Sequence, residues 1–181
     1  MFAKINVLQI FRDHIFTLTC SKRKGRLEGV LWQDIALFYA VPLVIGILLA
    51  FFGVKLSESI INIGLVALTI FVPLLINVIF LIHTVLDKYR DRKTETTEAK
   101  RRQEVVITIL QDIFCNISYS ILMSLITILA LAGCMITVLS GAFLYGIVYF
   151  LAIHLLLTGL MILKRLHVLL AVSFEETSES I

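Results

Sequence analysis

Four long apolar runs dominate this sequence and restrict what the chain can fold into. They lie at about residues 35–53, 60–86, 117–139 and 142–163. A helix needs about 20 mostly apolar residues to cross the hydrocarbon core of a bilayer, and each run is about that long or longer. Because one chain with four continuous apolar runs cannot close a barrel of alternating strands, the runs predict transmembrane helices.

The composition favours lipid over water as the surrounding medium. Hydrophobic residues make up 59% of the 181 residues and charged residues 16%, with a mean hydropathy of +0.98. Soluble domains average about 45–50% apolar and about 25% charged residues, and a water-soluble core of this size could not bury the excess. We therefore predict an all-α integral membrane protein with four transmembrane helices and amphipathic cytoplasmic helical extensions.

The basic residues predict the orientation of the chain. Of the 16 Lys and Arg residues, six precede the first run, seven lie between the second and third, and Lys164 and Arg165 follow the fourth. Lys55 is the one basic residue between the first and second runs. Since basic residues near span ends stay in the cytoplasm, both termini and the long central loop are expected inside.

The N-terminal residues have the pattern of an amphipathic helix. Ile5, Leu8, Phe11, Ile15 and Leu18 recur at helical spacing, which predicts a helix lying on the inner leaflet or against the protein's own cytoplasmic part. The basic turn SKRKGR after it favours anionic lipid headgroups over nucleic acid as a partner.

The whole chain thus divides into five predicted segments. These are a cytoplasmic amphipathic helix with its basic turn at 1–34, transmembrane helices one and two at 35–86, a cytoplasmic helical hairpin at 87–116, transmembrane helices three and four at 117–163, and a cytoplasmic helix with an acidic tail at 164–181. The polar, acidic composition of the tail predicts disorder there.

The cytoplasmic side offers the surface large enough for a protein partner. The outer loops VKLSES and SG are too short to build a receptor domain, whereas the second, third and fourth helices are expected to continue past the membrane. The candidate surface for a partner or a second copy comprises Arg101, Arg102, Leu166, Leu170 and Phe174. We expect a homo-oligomer that binds a cytosolic protein.

Polar residues in and near the apolar runs are the other candidate positions. His154 lies near the middle of the fourth run, where it forms an interhelical contact or, in the alternative, lines a pore or moves protons. His83 and Asp112 would bond across the cytoplasmic hairpin or, as we favour, would each be solvated there. Pro73 should kink the second helix, and Asn77 follows one turn later.

The sequence contains no recognisable catalytic apparatus. It has no HExxH, no GxSxG and no glycine-rich phosphate loop. His83, Asp87 and Asp91 share a helix face, but a metal site needs three or four converging ligands, and the neighbouring basic residues favour a solvated charged face. The three cysteines form no disulfide framework. We therefore expect no enzyme activity, metal or cofactor.

The chain resembles the small four-helix membrane subunits of bacterial anti-phage defence systems, such as the membrane component of the Kiwa system. The resemblance rests on size, the basic inner loop DKYRDRKTETTEAKRRQ, the near-absent outer loops and the ending LKRLHVLLAVSFEE. It implies an oligomeric sensor in the bacterial inner membrane that holds a cytoplasmic effector protein and responds to infection at the envelope. It transfers no functional residue.

Two other functions remain open on the sequence. The first is a pore-forming effector that depolarises the membrane, with His154 and Thr158 of the fourth run as lining residues. The second is a small transporter, which the lack of deep charges disfavours.

Overall fold

The computed structural model describes residues 7–19, 32–91, 96–136 and 141–179, and every regular element within them is a helix. The elements are α1 (Val7–Thr19), α2 (Trp32–Ile35), a π-helical segment (Ala36–Ala40), α3 (Val41–Phe51), α4 (Glu58–Asp91), α5 (Thr97–Met135) and α6 (Ala142–Glu179). Ile5, Cys20 and the basic turn lie outside the described residues, as do residues 92–95 of the hairpin. The predicted all-helical class is confirmed.

Three helices are long and apolar enough to cross a membrane. They are α4, α5 and the Ala142–Leu170 part of α6, and they correspond to three of the predicted spans. The remaining predicted span, the first in the chain, coincides with a shorter apolar helix, Ala36–Phe51, which comprises the π-helical segment and α3.

Short-range interactions set several helix ends. The Thr96 side chain accepts a hydrogen bond from the Ala99 backbone N–H at 3.3 Å, which caps the start of α5. Gly53 has a φ of 67° directly after α3, and this left-handed conformation turns the chain towards α4.

Pro73 lies inside α4, which continues through it. Because proline has no N–H, the Thr69 carbonyl loses its usual partner in the helix.

Helix α5 is the centre of the fold, with α4 and α6 packed against it along its length and α1 packed near its middle, at Asn116 and Tyr119. A first apolar core includes Leu68 of α4, Met123 of α5 and Leu151 of α6. A second core lies beyond it on the predicted cytoplasmic side and includes Ile113 of α5 and Ile162 of α6. The three long helices are therefore packed together through both cores.

Helix α3 packs against α6 by close approach of the two backbones. A Cβ atom added at Gly46 would lie 2.8 Å from the Gly146 carbonyl oxygen, and one added at Gly146 would lie 3.0 Å from the Ala50 Cβ. Small residues allow this approach between membrane helices. They hold the short α3 against the bundle within one chain.

The buried face of α1 differs from the one that the sequence predicts. The helix packs against α5, and Phe11 and Leu18 contribute to that face as expected. Leu8, however, is 80% exposed and Ile15 is also exposed, whereas His14 is fully buried. Hydrogen-bonding partners on α5 stabilise a polar edge of α1 that hydrophobicity alone assigns to solvent.

The prediction of a disordered acidic tail is wrong as far as Glu179, where α6 ends. No glycine or proline follows Gly159, so nothing in the sequence interrupts the helix. Glutamate is among the better helix-forming residues, and an existing helix extends at little cost.

Candidate functional site

A cluster of buried polar side chains lies where α1, the π-helical segment, α5 and α6 meet. His14 of α1, Asn116 and Tyr119 of α5, and His154 of α6 are all fully buried, and Thr17 of α1 nearly so. We call these five residues the polar cluster. Buried polar groups require hydrogen-bond partners, so the bonds within the cluster determine what it can do.

His154 connects α6 to two other elements. Its Nδ1 atom lies 2.7 Å from the Phe38 carbonyl oxygen, and its Nε2 atom lies 2.8 Å from the Tyr119 hydroxyl. A carbonyl oxygen can only accept, so Nδ1 carries the proton and the neutral ring accepts at Nε2 from Tyr119. The Tyr119 oxygen in turn lies 3.4 Å from the hydroxyl of Tyr39.

Pro42 explains why the Phe38 carbonyl can accept this bond. In a regular α-helix the Phe38 carbonyl would accept from the N–H of residue 42, but proline has none. The chain here adopts a π turn, in which the Val41 N–H bonds to the Ala36 carbonyl. The local sequence therefore creates an acceptor inside an apolar segment, and His154 supplies its donor.

His14 occupies the other side of Tyr119. Its ring stacks on the tyrosine ring with centroids 3.7 Å apart and planes 3° from parallel. Its Nδ1 donates to the Asn116 side-chain oxygen at 2.8 Å, and the Thr17 hydroxyl donates to the same oxygen at 2.8 Å. Burial lowers the pKa of His14 from 6.5 to about 4, although the bond to Asn116 opposes this change. His14 is therefore neutral near pH 7.

Arg165 joins the cluster to the predicted cytoplasmic boundary. Its guanidinium donates to the Thr17 carbonyl at 2.9 Å and lies 3.3 Å from the Asp112 carboxylate. Thr17 is in the last turn of α1, where carbonyls lack partners within the helix and attract positive charge. Arg165 thereby links α1, α5 and α6.

The polar residues predicted to lie in or near the membrane differ in their burial and in their partners. His154 and Thr158 are fully buried within one chain. His83 pairs with Asp87 at 3.1 Å, whereas Asp112 pairs with Arg165. Asn77 is exposed on α4.

The predicted cytoplasmic surface is open in part. Arg101 and Arg102 are exposed near the start of α5, Leu166 is half-buried, and Leu170 is exposed on α6. The backbone of Phe174 lies in α6, but its side chain is outside the described part of the structure. Within the described ranges, no three His, Cys, Asp or Glu side chains converge as metal ligands do.

His83 and Asp112 do share a groove between α1, α4 and α5, which we call the α1–α4–α5 groove. It encloses about 560 Å³, and Asp13, Thr17 and Arg90 also line it. The hairpin geometry thus brings His83 and Asp112 to one cavity while giving them different ion-pair partners.

His14, Pro42 and Arg165 contribute to the surroundings of His154 but were not among the site residues predicted from the sequence. The contact at Phe38 could have been predicted from Pro42, because a proline inside an apolar helix leaves the carbonyl four residues earlier without its usual donor. The role of His14 had no such pattern, since its partner Asn116 is 102 residues away.

Comparison with protein-family models, curated proteins and solved structures finds no match to this chain.

The chemistry of the polar cluster favours a structural role. Hydrogen bonds connect Tyr39 through Tyr119 to His154 and from His154 to the Phe38 carbonyl. In the part of the chain that the structure describes, the cluster therefore links α1, the π-helical segment, α5 and α6.

Replacing His154 should loosen the contact between α6 and the π-helical segment. His154→Leu leaves the Phe38 carbonyl and the Tyr119 hydroxyl without this partner, so we expect a loss of about 1–2 kcal/mol in unfolding free energy. The exposed His167→Leu is the matched control. Reversible unfolding in mixed micelles measures both, and equal losses would contradict the assigned role of His154.

A double-mutant cycle tests the part played by proline. Pro42→Ala supplies an N–H that can bond to Phe38, so His154→Leu should have a smaller effect in that background than in the natural chain. Additive effects of the two substitutions would show that Phe38 accepts from His154 independently of Pro42.

Acid should release α1 through protonation of His14. Because the folded pKa of about 4 lies below the ordinary 6.5, the unfolded state binds more protons between these values. The stabilisation is complete above 6.5 and is lost as pH falls towards 4, with about 2 kcal/mol lost by about pH 5. His14→Gln should lose less stability than the natural chain between about pH 7 and about pH 5, and identical slopes would refute this.

Proposed function

We propose that this chain is a multi-pass protein of the bacterial inner membrane that crosses the bilayer four times with both termini in the cytoplasm. We further propose that it is a non-enzymatic scaffold or sensor, which oligomerises and binds a cytosolic protein through its inner helical surface. The resemblance to anti-phage membrane subunits makes phage defence the proposed setting.

The continuity of α2, the π-helical segment and α3 supports the first span. The three elements follow one another without a break from Trp32 to Phe51. At about 1.5 Å per residue they extend roughly 30 Å, which matches the hydrocarbon thickness of a bilayer. Lys55 is exposed in the short connection that follows.

The proposed topology can be tested with thiol labelling of intact cells. Lys55→Cys should react with a membrane-impermeant maleimide from outside, because residue 55 lies between the first two spans. Glu98→Cys, exposed at the start of α5, should react after permeabilisation alone. The background is a chain with its three natural cysteines changed to serine, and external labelling at residue 98 would overturn the four-span topology.

Apolar side chains that are exposed beyond the predicted spans support the proposal that the chain binds a cytosolic protein. Leu170 is 55% exposed on α6, and Val168 and Val105 are also exposed. These residues follow Leu163 or precede residue 117, where water replaces lipid, and apolar surface exposed to water marks protein contacts. Arg101 lies one turn before Val105 on α5.

The charged and apolar residues of this surface indicate what the contacting surface of the partner should be like. An exposed arginine next to leucine and valine complements an apolar patch with an acidic rim. This surface is held in place by the second core, because Leu166 and Leu169 of α6 pack against buried residues of α4 and α5. A rigid surface can bind with less ordering of its side chains.

Substitutions on this surface should remove the partner without affecting membrane insertion. We expect Leu170→Asp to reduce co-purification of the cytosolic protein at least tenfold and Arg101→Glu to reduce it several-fold, when the chain is expressed with its genomic neighbours. Lys55→Glu is the control on the outer connection. The readout is the mass and composition of the detergent-solubilised complex, and a partner retained at full occupancy by both variants would contradict the proposal.

A further inference from the structure

The α1–α4–α5 groove combines charge and apolar surface at one depth of the molecule. Its volume of about 560 Å³ lies within the range of small-molecule sites. Its walls include Ile82, Leu86 and the exposed aromatic rings of Phe16 and Phe114. The groove can therefore bind the apolar part of a ligand as well as a polar group.

The groove straddles the predicted inner boundary of the membrane. On α4 it begins at Ile82, inside the second run, and continues past the end of that run to Arg90. On α5 it runs from Thr108 to Cys115, just before the third run. Phospholipid headgroups lie at this depth, and their acyl chains lie on the side of Ile82.

Charges of both signs line the groove on different helices. Asp13 comes from α1 and Asp112 from α5, whereas Arg90 comes from α4. Among the described residues, Asp13 and Arg90 form no ion pair with each other or with any other side chain. Burial raises the pKa of the Cys115 thiol in the same groove, and the carboxylates of Asp13 and Asp112 raise it further. Asp112 is paired with Arg165, so Asp13 is the carboxylate on the wall formed by α1 and α5 that can attract a further cation.

We propose that the α1–α4–α5 groove binds an aminophospholipid of the inner leaflet, with its phosphate on Arg90 and its ammonium on Asp13. A guanidinium can bond two phosphate oxygens at once. A primary ammonium has three N–H donors for Asp13 and the neighbouring Thr17 hydroxyl. The acyl chains lie along Ile82 and Phe114 towards the bilayer.

The charge pattern selects among lipid classes. An anionic headgroup without an amine would place its phosphate on Arg90 but leave the Asp13 carboxylate without a cation, whereas Asp112 already has Arg165 as its partner. A choline headgroup has a positive charge but no N–H to donate. Phosphatidylethanolamine satisfies both the acidic and the basic wall, so it should be preferred over phosphatidylglycerol and phosphatidylcholine of equal chain length.

Native mass spectrometry of the full chain tests this preference. The delipidated protein is offered an equimolar mixture of the three lipids, and we expect one phosphatidylethanolamine per chain to be retained preferentially. Arg90→Gln should weaken this retention about tenfold, because a charge-assisted contact to phosphate is lost. Lys88→Gln, which changes an exposed charge on the same helix outside the groove, should leave it unchanged.

Asp13→Asn provides an independent test of the ammonium site. It should reduce the preference for phosphatidylethanolamine over phosphatidylcholine while retaining the phosphate contact. Monodisperse elution and an unchanged melting temperature establish that each variant is folded. Equal retention of all three lipids, preference for phosphatidylglycerol, or an Arg90→Gln variant that binds like the natural chain would each overturn the proposal.

Soluble glycerophosphoethanolamine separates a lipid site from a site for free phosphate esters. It carries the same headgroup without acyl chains, so it should compete poorly with the lipid. Displacement of the lipid at equal concentration would show that the groove takes a soluble ligand, which would also overturn the proposal.

Discussion

The bond from His154 to the Phe38 carbonyl is the contact on which the arrangement of the helices depends most. Membrane helices gain little from the hydrophobic effect when they associate, because lipid tails are as apolar as leucine. Association must come from close packing and hydrogen bonds. His154 bonds to the π-helical segment and to Tyr119 of α5, while Gly46 brings the α3 and α6 backbones together. The short α3 is thereby held by α6 at two points.

The position of α1 follows from that arrangement. The Tyr119 ring stacks on the His14 ring, and the Tyr119 hydroxyl bonds to His154. Arg165, in the same helix as His154, binds the last turn of α1 through Thr17. The depth at which α1 lies is therefore determined by α5 and α6, and with it one wall of the α1–α4–α5 groove.

The sequence predicts much of the fold because a bilayer imposes one requirement on every span. Apolar runs of sufficient length identify α4, α5 and α6 without knowledge of their partners, and His154 is recognisable as a polar residue within such a run. The face that α1 buries is different. It depends on Asn116 and Arg165, which hydrophobicity within residues 7–19 cannot indicate. The partners of Asp112 are hidden for the same reason, since Arg165 follows it by 53 residues in the chain.

The separation in sequence between α1 and its partners has a consequence for biogenesis. His14 bonds to a residue 102 positions later, and Thr17 accepts from one 148 positions later. A ribosome that has just made α1 must still deliver every span before Arg165 exists. Helix α1 therefore cannot reach its final place until α6 has been made, and until then its exposed Leu8 and Ile15 can rest at the lipid surface while the insertion machinery completes the bundle.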